Sequence, residues 1–161
     1  MEKWHWSRGA WSKMNNPKHS FICWLAMRRK LLTKDRTLTM GITQDNDYML
    51  CVGQTESIDH LFFECTFSKM CLEKVLKWLG MNIEVNSIWR RITRIAKGKV
   101  GRSFTEAVVA AIIYHIWRAR NKAVWLQKVP RPQTILKQIQ YTYQHRCLEV
   151  IQKKKRQKEK S

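Results

Sequence analysis

The sequence predicts an all-α fold: a small helical lobe to about residue 80, then a helical extension built on one long helix. Three observations predict it. Apolar residues recur at helical spacing in several separate stretches. Glycine and proline are scarce, six and three copies in 161 residues, too few for the turns of a β-sandwich or barrel. Ser, Thr or Asn stands ahead of most apolar runs and Gly or Pro follows them, where helix caps and stops belong.

Residues 1–18 read as a basic, Trp-rich arm with Trp4, Trp6 and Trp11, ending in Asn15-Asn16-Pro17-Lys18. Ser20 is the expected N-cap of the first helix, with Phe21, Trp24, Leu25, Arg28 and Leu32 on one stripe. Arg28, Arg29 and Lys30 fall at its C-terminal end, where cations complement the helix dipole. Thr33 caps a short second helix, residues 34–40, stopped by Gly41. Residues 42–57 are a polar loop with a short strand expected at 48–52. Ser57 opens the next helical stretch, a turn near Thr66 restarts it, and Gly80 ends it after Leu79. Asn86 caps a helix through Ile88, Trp89, Ile92 and Ile95 to Lys97. Beyond Gly98 and Gly101, Ser103 and Glu106 match a capping box for the long helix, Phe104 to about Gln127. Pro130 and Pro132 end it, and a last helix starts near Thr134, using Ile135, Ile139, Tyr143 and Leu148. The expected domains are the arm 1–18, the lobe 19–80, the extension 81–150 and a disordered basic tail 151–161. Trp24, Trp78, Trp89, Trp117 and Trp125 are expected in the core and His115 in the core or at an interface, and the arm tryptophans are better placed to stack on bases.

Charge points to a partner. Lys and Arg total 31 against 12 Asp and Glu, a net charge of +19. Such a chain attracts polyanions, because each cation near a phosphate releases a condensed counterion. Two clusters are the expected phosphate contacts: Arg90, Arg91, Arg94, Lys97 and Lys99 on one short helix, and Lys153, Lys154, Lys155 and Arg156 in the tail. Arg118, Arg120 and Lys122 read the same way, and for all of them the rival is an ordinary solvated face. The longest apolar stretch, residues 107–117, is about half of what spans a bilayer, so no membrane partner is expected. The first residues lack the plan of a secretory signal. Five cysteines, an odd number, then favour reduced thiols or metal ligands over disulfides.

Cys51, His60 and Cys65 are the one chemical constellation. Zinc takes four soft or borderline donors, which loops and helix starts supply as clustered Cys and His. A cysteine at position 48 would complete a C-x2-C pair with Cys51, but Tyr48 stands there, and a phenol is a poor zinc ligand. Water, Cys71 and Cys23 are the alternative fourth donors, although the apolar neighbours of Cys23 favour a buried core thiol, and the rival is an empty site with Cys51 and Cys65 packed as small hydrophobes. Beyond Glu56 and Glu64 no base stands near the cluster. No catalytic residues and no small-molecule substrate are expected.

These motifs resemble a known family. Asn16-Pro17-Lys18-His19-Ser20-Phe21, Trp24-Leu25-Ala26, Leu31-Leu32-Thr33-Lys34-Asp35-Arg36, the run from Glu56 through His60 to Cys65, and Phe67-Ser68 occur in the order seen in the reverse-transcriptase zinc-binding domain of plant LINE-type non-LTR retrotransposons. The resemblance covers roughly residues 11–79, and the stretch Ala111 to Asn121 is similar to the helical region that follows in those polyproteins. It implies one zinc held by Cys51, His60 and Cys65, with Tyr48 departing from the family's fourth ligand. No paired-aspartate polymerase motif is found, so a stand-alone, non-catalytic fragment is expected. The resemblance and the charge together imply an accessory module that binds RNA or DNA with weak sequence preference, nuclear by its basic tail or otherwise cytoplasmic. The rivals are an adaptor subunit of a host protein complex and a degenerate fragment with no selected role.

Overall fold

The first helix starts a turn earlier than Ser20. In the computed structural model, which describes residues 14–45, 47–82, 84 and 98–160, α1 spans Pro17–Met27. Asn16 is its N-cap: the side chain accepts a hydrogen bond from Lys18 N at 3.0 Å, and Pro17 fits the first turn, where no N–H is needed. Ser20 is buried inside the helix instead. Asn16→Ala is expected to lower stability by about 1 kcal/mol in chemical denaturation; no change would show that α1 does not depend on this cap.

Three helices end alike. After α1, after α2 (Lys34–Thr39) and after α3 (Thr66–Trp78), the chain turns through a left-handed residue, at Arg29, Gly41 and Gly80. Two backbone bonds close each end, as in Lys30 N to Leu25 O at 2.8 Å and Met81 N to Leu76 O at 2.9 Å. Glycine takes this conformation without strain at Gly41 and Gly80. Arg29 does it with a side chain at φ 54°, and its guanidinium is held by both Asp59 oxygens, at 2.7 and 2.9 Å. Thr33 flanks α2 but makes no side-chain cap bond; Glu56 Oε1 accepts from Lys34 N at 2.9 Å instead.

Between α2 and α3 the expected strand at 48–52 is absent. One antiparallel bridge, Asp47 to Thr55, pinches the loop, and no strand occurs among the described residues. The next stretch closes as a π-helical turn, His60–Glu64, before α3.

The long helix α4 spans Gly98–Leu126, so Ser103 and Glu106 lie inside it and form no capping box. Its middle, Ala107 to Ile113, is buried on all sides, which makes α4 the central helix. Gln127, at φ 51°, ends it. The last helix, α5, starts at Pro132, ahead of Thr134, and runs to Glu159. The segment expected as a disordered tail is therefore helical, and every side chain from Ile151 to Lys160 is exposed. Its Gln, Lys, Arg and Glu are good helix formers, and no Gly or Pro interrupts them.

The lobe and the extension share one core. α1 packs on α4, α3 on α5, α4 on α5, and the π-turn on α3. Cys23, Leu61, Phe62, Leu72, Val75, Ile112, Ile116 and Ile139 belong to a single buried cluster. Trp78 and Trp117 pack against it. Trp125 does not: it is 80% exposed at the α4–α5 turn, beyond the last core contact of α4. Among the described residues no helix is long and apolar enough to cross a membrane. The arm tryptophans, Trp89 and the helix expected over 86–97 lie outside the described residues, as do Arg90, Arg91, Arg94 and Lys97 and the side chain of Lys99.

Candidate metal centre

His60 and Cys65 are five residues apart. In a regular α-helix that spacing separates two side chains by about 140° around the axis. The π-turn removes the difference. Cys65 N donates to His60 O at 2.7 Å, a bond spanning five residues, and the wider turn brings both side chains to one side. Ser57 Oγ accepts from His60 N at 3.1 Å and fixes where the turn starts. Ser68 Oγ donates to Leu61 O at 2.5 Å, satisfying a carbonyl that the altered ladder frees.

Cys51 comes from the loop pinched by the Asp47–Thr55 bridge. It completes a trio: one donor atom each from Cys51, His60 and Cys65, all within 4.8 Å of one another. Cys65 and His60 are buried and Cys51 is half-buried. His60 Nδ1 faces Glu64 Oε2 at 3.6 Å, while Nε2 is buried with no hydrogen-bond partner. An acidic neighbour on one imidazole nitrogen and a lone pair left on the other is the arrangement that metal-ligating histidines use. Two sulfurs and an imidazole nitrogen suit zinc, so the residues present fit a metal ion.

Tyr48 lies against two members of the trio. Its ring is buried, its hydroxyl donates to Cys65 Sγ at 3.4 Å, and its edge meets His60 at a centroid distance of 5.3 Å. Burial, then the bond to Cys65, pushes the phenol well above its ordinary range, so it stays protonated and acts as a donor. Neither alternative cysteine joins the trio. Cys23 sits in the core, and burial pushes its thiol up to about 12. Cys71, on α3, is pushed up to about 12 by burial and by the nearby Cys65.

Of the two carboxylates flanking the trio, Glu56 has other work. Glu56 is fully buried and takes three bonds from Arg120, at 2.7, 2.9 and 3.0 Å, besides capping α2. Arg120 also lies over the Trp117 ring at 4.9 Å. It is thus an internal residue, unlike the phosphate-contacting role its sequence suggests. Glu64 is exposed beside His60. Lys153, Lys154, Lys155 and Arg156 are exposed on the last turns of α5. Sequence spacing marks the three residues of the trio. It misses the roles of Asp59, Glu56 and Tyr48, because their partners are 30, 64 and 17 residues away.

No curated protein and no solved structure matches this chain. The family model described as zinc-binding in reverse transcriptase matches residues 1–71, the segment that contains Cys51, His60 and Cys65.

Proposed function

We propose that the protein is a zinc-holding, nucleic-acid-binding accessory module, of the kind carried by LINE-type reverse transcriptases, with no catalysis of its own. Cys51, His60 and Cys65 hold the ion, whose part is to tie the loop to the π-turn. The observation that carries the binding reading is the charge and how it is distributed. Of the 12 acidic residues, Asp45, Glu56, Asp59 and Glu149 are spent on ion pairs with Lys34, Arg120, Arg29 and Arg146. Lys153 to Arg156 face solvent together at the end of α5, where they suit a phosphate backbone and a nuclear-targeting role.

Titrating the full chain with RNA and with DNA over a range of salt tests this. Affinity is expected to fall steeply with salt for both. Replacing Lys153, Lys154, Lys155 and Arg156 by Gln should reduce the slope of log K against log[salt] by about 3. Binding no tighter than that of a charge-matched peptide sinks the reading. Chelator-free protein should carry one zinc per chain, and substoichiometric metal sinks the zinc part.

A second reading, an adaptor in a host protein complex, is favoured by the exposed Trp125, Leu126 and Val129 at the α4–α5 turn. Partners captured from native tissue that survive nuclease treatment would select it.

A further inference from the structure

The segment carrying the ligands is anchored at three points that need no metal. Glu56, between Cys51 and His60 in the chain, is bonded to Arg120 of α4 and to the backbone of α2. Asp59, next to His60, is gripped by both nitrogens of the Arg29 fork. Tyr48, three residues before Cys51, touches the other two members of the trio: it donates to Cys65 Sγ and meets the His60 ring edge-on. It is only 3% exposed and belongs to the same core cluster as Leu61, Phe62 and Cys65.

In a small four-ligand zinc module the ion itself is the cross-link, and the fold is lost with it. Here the sequence position where the resembled family carries its fourth ligand holds a side chain that makes a hydrogen bond and a packing contact. We propose that Tyr48 takes over the cross-linking role of the absent fourth ligand, so that the cluster keeps its shape without metal. Metal occupancy then becomes reversible and is not a condition of folding. An aromatic ring at this position also continues the core under the loop, which a cysteine side chain is too small to do.

The inference rests on reading the trio as a metal site, but its test is made in metal-free protein. Full-length wild type in EDTA is expected to keep its helical far-UV signal and a cooperative melt. Tyr48→Cys is expected to lose the cooperative melt in EDTA and regain it with one equivalent of zinc. Tyr48→Phe keeps the ring and removes the donor. In that variant Cys51 and Cys65, followed by alkylation and peptide mapping, should react about fivefold to tenfold faster than in wild type, the shift expected when one hydrogen bond restraining local opening is lost. Unfolding of wild type by EDTA overturns the proposal. So does a Tyr48→Cys variant as stable as wild type in EDTA, or a Tyr48→Phe variant with unchanged thiol reactivity. Wild type that takes up no zinc defeats the metal reading, while the Tyr48 comparison stands on the metal-free measurements.

Discussion

Arg120→Ala is expected to lower stability by about 3–5 kcal/mol, the cost of leaving a buried carboxylate without its counter-ion. Glu56 has no exposed surface, and Arg120 supplies three of the bonds that satisfy it. With Arg120 gone, Glu56 keeps only the Lys34 backbone N–H. The effect is structural, because this pair ties the central helix α4 to the loop between Cys51 and His60 and to the start of α2. Replacing both partners by leucine removes the stranded charge together with its partner. That double variant should lose much less than the single one, roughly the 1 kcal/mol of the α2 cap plus imperfect packing. Urea denaturation of wild type, both single variants and the double variant gives the coupling directly. A loss below about 1 kcal/mol for Arg120→Ala would mean that Glu56 is not held as a buried anion.

How far such features can be read from sequence depends on whether the interaction is local. The all-α class is legible because helical periodicity and punctuation are local: Gly41, Gly80 and Pro132 act within a turn of their own positions. The trio of Cys51, His60 and Cys65 is legible as a cluster because Cys and His at short spacing are rare by chance and fall in one segment. Local signals fail where two of them compete. Ser20 and Ser103 have capping chemistry, but Asn16-Pro17 and the turn at Gly98 start their helices earlier. A glycine inside α4, at position 101, costs only about 1 kcal/mol and does not stop a helix whose middle is buried all round. Long-range partners leave no trace in spacing. Nothing around Arg120 distinguishes it from Arg118 or Lys122, yet it is the one that meets Glu56, 64 residues earlier. The π-turn is similarly hidden, since it shows only in the five-residue bond from Cys65 to His60.

Acid is expected to destabilise the protein well above the range where carboxylates titrate, through two buried histidines at the α1–α4 seam. His19 lies 4.4 Å from the Tyr114 ring and 5.4 Å from the His115 ring, centroid to centroid. Burial lowers His19 to about 4, with His115 adding to the effect. Burial also lowers His115 to about 4; Arg118 and Lys122 push the same way, and Gln138 of α5 opposes them. Both imidazoles are therefore neutral in the folded state, while the unfolded chain takes up protons below about 6.5. The unfolded state binds more protons in this window, so stability rises with pH. It is fully present above about pH 6.5 and is lost as pH falls toward 4, by about 3 kcal/mol for the first histidine to charge. Asp45 and Glu149, both held below the ordinary carboxylate range by hydrogen bonds, lose their contribution only at lower pH. Glu106, raised by burial, works in the opposite sense and softens the slope. Urea midpoints at pH 7, 5.5 and 4.5 should fall in that order, and His115→Gln should reduce the dependence by about half. Equal midpoints at pH 7 and 4.5 would exclude a neutral buried pair. The loss would reach the Cys51–His60–Cys65 trio, because Arg29, two residues past the end of α1, holds Asp59 beside His60. Loosening α1 in acid removes one of the three anchors that keep His60 in place, so metal affinity should fall over the same pH window as stability.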